Sequence, residues 1–137
     1  MRNSKPMLLV EDDDVDQIAM ERAFKDLKIT NQLVSTANGE EALEYLKIES
    51  NEKPCIILLD LNMPKMNGTE FLKIIRADEA LKKISVIVLT TSRAEQGIVE
   101  SFRLGAAGYM VKSVDYKKFV ETIMAIDLCL NSSELSD

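Results

Sequence analysis

Residues 55–59, Cys-Ile-Ile-Leu-Leu, form an unbroken apolar run that stops at Asp60. A strand half exposed to water alternates apolar with polar residues, so a continuous run suits a strand covered on both faces, as in a parallel sheet between helices. Other short β-prone stretches occur at 7–10 (MLLV), 32–36 (QLVST), 85–89 (SVIVL) and 108–111 (GYMV). Segments of helical period lie between and after them, near 14–28, 39–49, 68–77, 94–105 and 115–129. This alternation predicts an α/β fold with a parallel sheet, and right-handed crossovers then place helices on both of its faces. Asn38 with Glu41 and Ser92 with Glu95 have the spacing of capping boxes, and Asp115 suits an N-cap.

The chain of 137 residues is the size of one domain and long enough to bury a real core. Its apolar runs of four or five residues fall far short of the ~20 that a membrane helix needs. The opening MRNSKPMLLVEDDD has too short an apolar stretch for a signal peptide and leads straight into acids, which predicts a soluble, cytoplasmic protein. The net charge of −6 argues against nucleic-acid binding, where Lys and Arg must neutralise phosphates. Cys55 and Cys129 lack the spacing of a redox or zinc motif and read as reduced thiols. The chain has no histidine. That removes His-ligated zinc, Ser-His and Cys-His nucleophile pairs and autophosphorylation on histidine, leaving carboxylates, lysines and hydroxyls to carry any chemistry.

Asp60 ends its strand at the edge where open α/β sheets bind ligands. Its alternative role is to open the turn that Asn62, Pro64, Asn67 and Gly68 would make. A second acidic group, Glu11, Asp12, Asp13, Asp14 and Asp16, follows the first strand. Asp13, Asp14 and Asp16 suit the start of a helix, where acids cap the chain and favour its dipole. An EF-hand beginning at Asp12 is excluded, because its sixth and twelfth positions are Gln17 and Ala23 rather than Gly and Glu. Glu11 and Asp12, like Asp60, sit where a buried strand leaves the sheet. If the first and third strands are neighbours, these three carboxylates converge and require a cation, and hard oxygen ligands of this kind suit Mg2+. Thr90, Thr91 and Ser92 follow the fourth strand and Lys112 the fifth, at the same edge. An acceptor carboxylate, a cation, a hydroxyl and an ammonium are the requirements of phosphoryl transfer, with Asp60 placed as acceptor.

The stretches LLVEDD, ANGEEALEYL, IILLDLNMPKMNG, VIVLTTS and GAAGYMVK occur in order across about residues 5 to 127. Together they resemble the receiver domain of two-component response regulators. The resemblance implies a CheY-like, flavodoxin-like fold: a doubly wound, five-stranded parallel sheet of order 2-1-3-4-5 with five helices. It implies a receiver domain over 5–129, a flexible C-terminal tail over 130–137, and phosphorylation of Asp60 by a sensor histidine kinase. Glu11, Asp12, Asp60 and the backbone carbonyl of Asn62 would hold Mg2+. Thr90 and Lys112 would contact the phosphoryl oxygens, and Tyr109 would change rotamer with Thr90; without the family, Tyr109 reads as an aromatic at the core edge with a wet hydroxyl. VEDDDVD, RADEALKKISVIVLTTS and VDYKKF are most similar to stand-alone receivers that work beside phytochrome-type kinases. A protein of this family is a signalling phosphoacceptor rather than an enzyme, switching the binding of a downstream target that the sequence does not identify.

A phosphatase of the haloacid-dehalogenase kind also forms an aspartyl phosphate, but it uses an acid two residues after the nucleophile, where this chain has Asn62. A pseudo-receiver would have lost at least one key group, and none is missing. The apolar positions 119, 120, 123, 124, 126, 128, 129 and 130 exceed what one sheet-facing stripe needs, which predicts a homodimer through the fourth helix, fifth strand and fifth helix. Finally, Lys112-Ser113 replaces the family's usual Lys-Pro. A cis bond before a residue other than proline costs ~2.5–4 kcal/mol, so trans is expected there.

Overall fold

The computed structural model describes residues 5–61, 66–90, 95–112 and 115–132. The strands are β1 (Met7–Val10), β2 (Leu33–Thr36), β3 (Ile56–Asp60), β4 (Ser85–Thr90) and β5 (Gly108–Val111). The helices are α1 (Asp14–Asp26), α2 (Gly39–Lys47), α3 (Gly68–Ala77), α4 (Glu95–Arg103) and α5 (Tyr116–Ser132). All strands pair in parallel in the order β2-β1-β3-β4-β5, the doubly wound arrangement expected.

Strand alternation divides the core in two. Leu8, Val10, Ile57, Leu59, Val86 and Val88 face α2 and α3, where Leu46, Phe71, Leu72 and Ile75 close over them. Met7, Leu9, Ile56, Leu58, Leu89 and Met110 face α1 and α5, packing on Met20, Phe24, Phe119 and Ile123. Every residue of β1 and β3 is buried, which explains why neither strand reads as alternating.

Local signals set the helix starts. Asp13 caps α1 by accepting from the Val15 and Asp16 amides at 2.8 and 3.2 Å. Asn38 caps α2 through the Glu41 amide at 3.0 Å, whereas Glu41 reaches back to the Ala37 amide, so the expected box closes one residue early. Asp115 accepts from the Lys117 amide at 3.0 Å. Asn67, a turn residue by its sequence context, forms a full capping box on α3 with Glu70. The helix α5 runs to Ser132, past the expected end at 129. The Ser92 cap, the Asn62 carbonyl and the Lys112-Ser113 bond lie outside the described residues.

Candidate functional site

Register builds the site. Val10 pairs with Leu59, so Glu11 emerges beside Asp60. Asp60 pairs with Leu89, so Thr90 stands one step beyond it; Thr90 pairs with Val111, so Lys112 stands one step further. The amide of Lys112 donates to the Thr90 carbonyl at 2.7 Å, holding the last two exits together. Glu11, Asp60, Thr90 and Lys112 thus follow one another across a single sheet edge, as strand-exit reasoning predicts.

The carboxylates converge. Glu11, Asp12 and Asp60 each offer an oxygen within 4.8 Å of the others. Glu11 and Asp60 are buried, at 1 % and 5 % exposure, while Asp12 lies open to solvent. Glu11 Oε2 accepts from the Asp13 amide at 3.2 Å. Its Oε1 is closed off from solvent and pairs with Lys112 Nζ at 2.5 Å. Lys112 Nζ also meets Asp16 Oδ2 at 3.0 Å and Asp60 Oδ2 at 3.5 Å.

Negative charge therefore exceeds positive charge in a dry place. Burial pushes the Glu11 carboxyl up to about 8, with Asp60 adding to the rise and Lys112 opposing it. Burial alone would lower the Lys112 ammonium, but its bonds to Glu11 and Asp16 and the charges of Glu11 and Asp60 raise it above the ordinary lysine value. Lys112 stays charged, and one cation does not balance the cluster. Three hard carboxylate oxygens converging at one sheet edge, with Glu11 and Asp60 buried, fit a divalent ion of the Mg2+ class.

Thr90 is buried to 1 % exposure at the end of β4. Tyr109 is 42 % exposed and meets the ring of Phe102 edge to face, with centroids 6.1 Å apart. It belongs to neither core cluster, so it stands on the exposed surface of β5 rather than at the core edge that its sequence context suggests. Asp13 and Asp14 serve the start of α1, but Asp16 does more than sequence reading assigned to it, since it binds Lys112. The chain places Asp16 in the first turn of the helix after β1, near the sheet edge, but nothing in it sets that side chain against Lys112.

Comparison with known proteins gives one answer at several levels. Residues 7–124 match the response regulator receiver domain. Response regulator Rcp1 of Synechocystis sp. is 35% identical over 127 residues, covering 90% of this chain and 86% of the relative. The polar-differentiation response regulator DivK of Brucella anthropi is 31% identical over 122 residues, covering 87% and 93%. Among solved structures, the phosphorylated cyanobacterial phytochrome response regulator RcpA superposes with a TM-score of 0.84 at 33% identity, covering 91% of this chain and 92% of that one. The Mn(2+)-bound form of Rcp1 gives 0.80 at 35% identity, covering 90% and 91%.

Proposed function

Because the chain belongs to the response regulator receiver domain family of two-component signalling, we propose that Asp60 is its phosphoacceptor and that the phosphoryl group comes from a phosphohistidine of a sensor histidine kinase. The observation that carries this is the convergence of Glu11, Asp12 and Asp60 within 4.8 Å, with the Lys112 ammonium 3.5 Å from Asp60. A carboxylate oxygen of Asp60 attacks phosphorus, the P–N bond breaks, and its electron pair leaves with the imidazole, which picks up a proton. Charge accumulates on the phosphoryl oxygens as this happens. Lys112 neutralises part of it, and the Thr90 hydroxyl donates to an oxygen from its fixed place at the end of β4.

Glu11, Asp12 and Asp60 would hold Mg2+, with the Asn62 carbonyl as a further ligand, and the ion would supply the remaining neutralisation of phosphoryl charge. The new contacts of Thr90 and Lys112 then bias the loop after β4 and the Tyr109 ring toward a second arrangement, which a downstream target reads. The resemblance to the cyanobacterial phytochrome response regulator RcpA supports a kinase of the phytochrome type. None of the helices of the described residues is long and apolar enough to cross a membrane. The protein works as a signalling acceptor, with any catalysis confined to its own phosphorylation and dephosphorylation.

Incubation with acetyl phosphate and Mg2+ should add one phosphate by intact mass, with none on Asp60→Asn and almost none in excess EDTA. Equal labelling of the substituted protein would remove Asp60 as acceptor.

A further inference from the structure

We infer that Asp16 is a positioning residue for Lys112, keeping its ammonium beside the acceptor once a divalent ion has taken the carboxylates it otherwise shares. This rests on the reading of Asp60 as the phosphoacceptor. Among the described residues the ion partners of Lys112 are Glu11, Asp16 and Asp60, at 2.5, 3.0 and 3.5 Å. Glu11 and Asp60 belong to the cluster suited to a cation, and Asp16 does not. A dication bound there competes for the oxygens that hold Lys112 and repels the ammonium directly. Asp16 is then the one partner left at full strength.

The surroundings make that anchor matter. Lys112, Asp16 and Glu11 border one cavity of about 470 Å³ whose other walls are mostly apolar, Leu9, Met20, Leu89 and Phe119 among them. An ammonium released from Asp16 gains nothing by turning inward, and it would turn to solvent instead. Asp16 can resist this because it stands on a rigid element, in the first turn of a helix whose start Asp13 fixes by capping the amides of Val15 and Asp16 itself. Lys112 is 13 % exposed and Asp16 38 %, so their bond lies at the mouth of the site, between the metal cluster and water.

The competing role of Asp16 is local, as an acid favouring the N-terminus of α1. A double-mutant cycle separates the two. Asp16→Asn should slow the initial phosphorylation of Asp60 by acetyl phosphate at saturating Mg2+ by about fivefold, which corresponds to about 1 kcal/mol for a part-exposed ion pair. Asp16→Glu should recover part of the rate. In a Lys112→Met background, already slow, Asp16→Asn should bring no further loss. In metal-free protein the Lys112 ε-methylene NMR signals should shift in Asp16→Asn, a change that a capping role would not produce. Asp16→Ser, which keeps a helix-start residue, should behave like Asp16→Asn, so the comparison survives if one variant folds poorly. Wild-type rates in both variants, or equal slowing with and without Lys112, would overturn the inference. Absence of Asp60 labelling in the wild-type protein would instead defeat the acceptor reading beneath it.

Discussion

At the scale of single residues, Glu11 is where burial and charge conflict most directly. Its carboxyl is pushed up to about 8, first by burial and then by Asp60, from an ordinary value of 4.5. Between those two values the folded protein holds a proton on Glu11 that the unfolded chain has released. The stability associated with that proton is full below pH 4.5 and fades as the pH rises through 8, so metal-free protein should weaken across this interval. Lys112 does not alter the slope there, because its raised value lies above the range and the ammonium is charged throughout. Urea titrations in EDTA should show at least the ~1.4 kcal/mol loss of one pKa unit between pH 5 and pH 8, and Glu11→Gln should flatten it. Metal and proton compete for the same oxygens, so Mg2+ affinity should rise over that interval. A flat stability profile for wild-type protein in EDTA would show that Lys112 already compensates Glu11 fully.

Elements are fixed by fewer residues than their lengths suggest, and Arg76 shows how. From α3 it donates through Nη1 to the carbonyls of Lys82 and Ile84, at 2.6 and 3.0 Å, and through Nη2 to that of Gly105 at 2.9 Å. One planar fork thereby ties α3 to the entry of β4 and to the turn after α4. Gly105 takes φ +93°, and a Cβ there would stand 2.9 Å from Arg76 Nε, so the turn and the fork require each other. A lysine ammonium donates from a single nitrogen and cannot span the separated carbonyls that the planar fork joins, so Arg76→Lys should cost about 2–3 kcal/mol in urea denaturation while leaving Asp60 competent for phosphorylation. The same scale shows what was legible in the chain. The strands could be placed because apolar runs buried on both faces have few alternatives, and the exits of β1, β3, β4 and β5 carried Glu11, Asp60, Thr90 and Lys112 with them. The bond of Asp16 to Lys112 was not legible, because it depends on the angle at which α1 leaves the sheet, and a string of adjacent acids does not encode that angle. The α3 cap was missed for a related reason: Asn67 serves equally well in a turn or a cap until Glu70 is seen to complete it.

For the whole molecule, the open question is what covers the apolar surface that the fold leaves outside. On α5, Phe119 and Ile123 are buried and Val120 and Ile126 partly so, which takes up the inward stripe, yet Met124 and Leu128 remain 44 % and 61 % exposed. Val99 and Phe102 on α4, at 54 % and 46 %, and Tyr109 on β5, at 42 %, extend the same character across the neighbouring elements. Since β5 ends the sheet, these three elements form one flank, and a second copy would bury them by meeting the same flank in two-fold fashion. We propose that the protein is a homodimer through this face. Placing Tyr109 within it would couple assembly to the phosphoryl site, because Lys112 directly follows β5 and Thr90 ends the neighbouring strand β4. Sedimentation at about tens of micromolar should therefore show dimer, more so with beryllofluoride and Mg2+ as a phosphoryl mimic, given that buried apolar area contributes ~25 cal/mol per Å². Val99→Glu with Leu128→Glu should give monomer that still accepts phosphate from acetyl phosphate, because neither residue touches the acidic cluster. Monomer alone for wild-type protein, with and without the mimic, would mean that this flank is kept for a different partner.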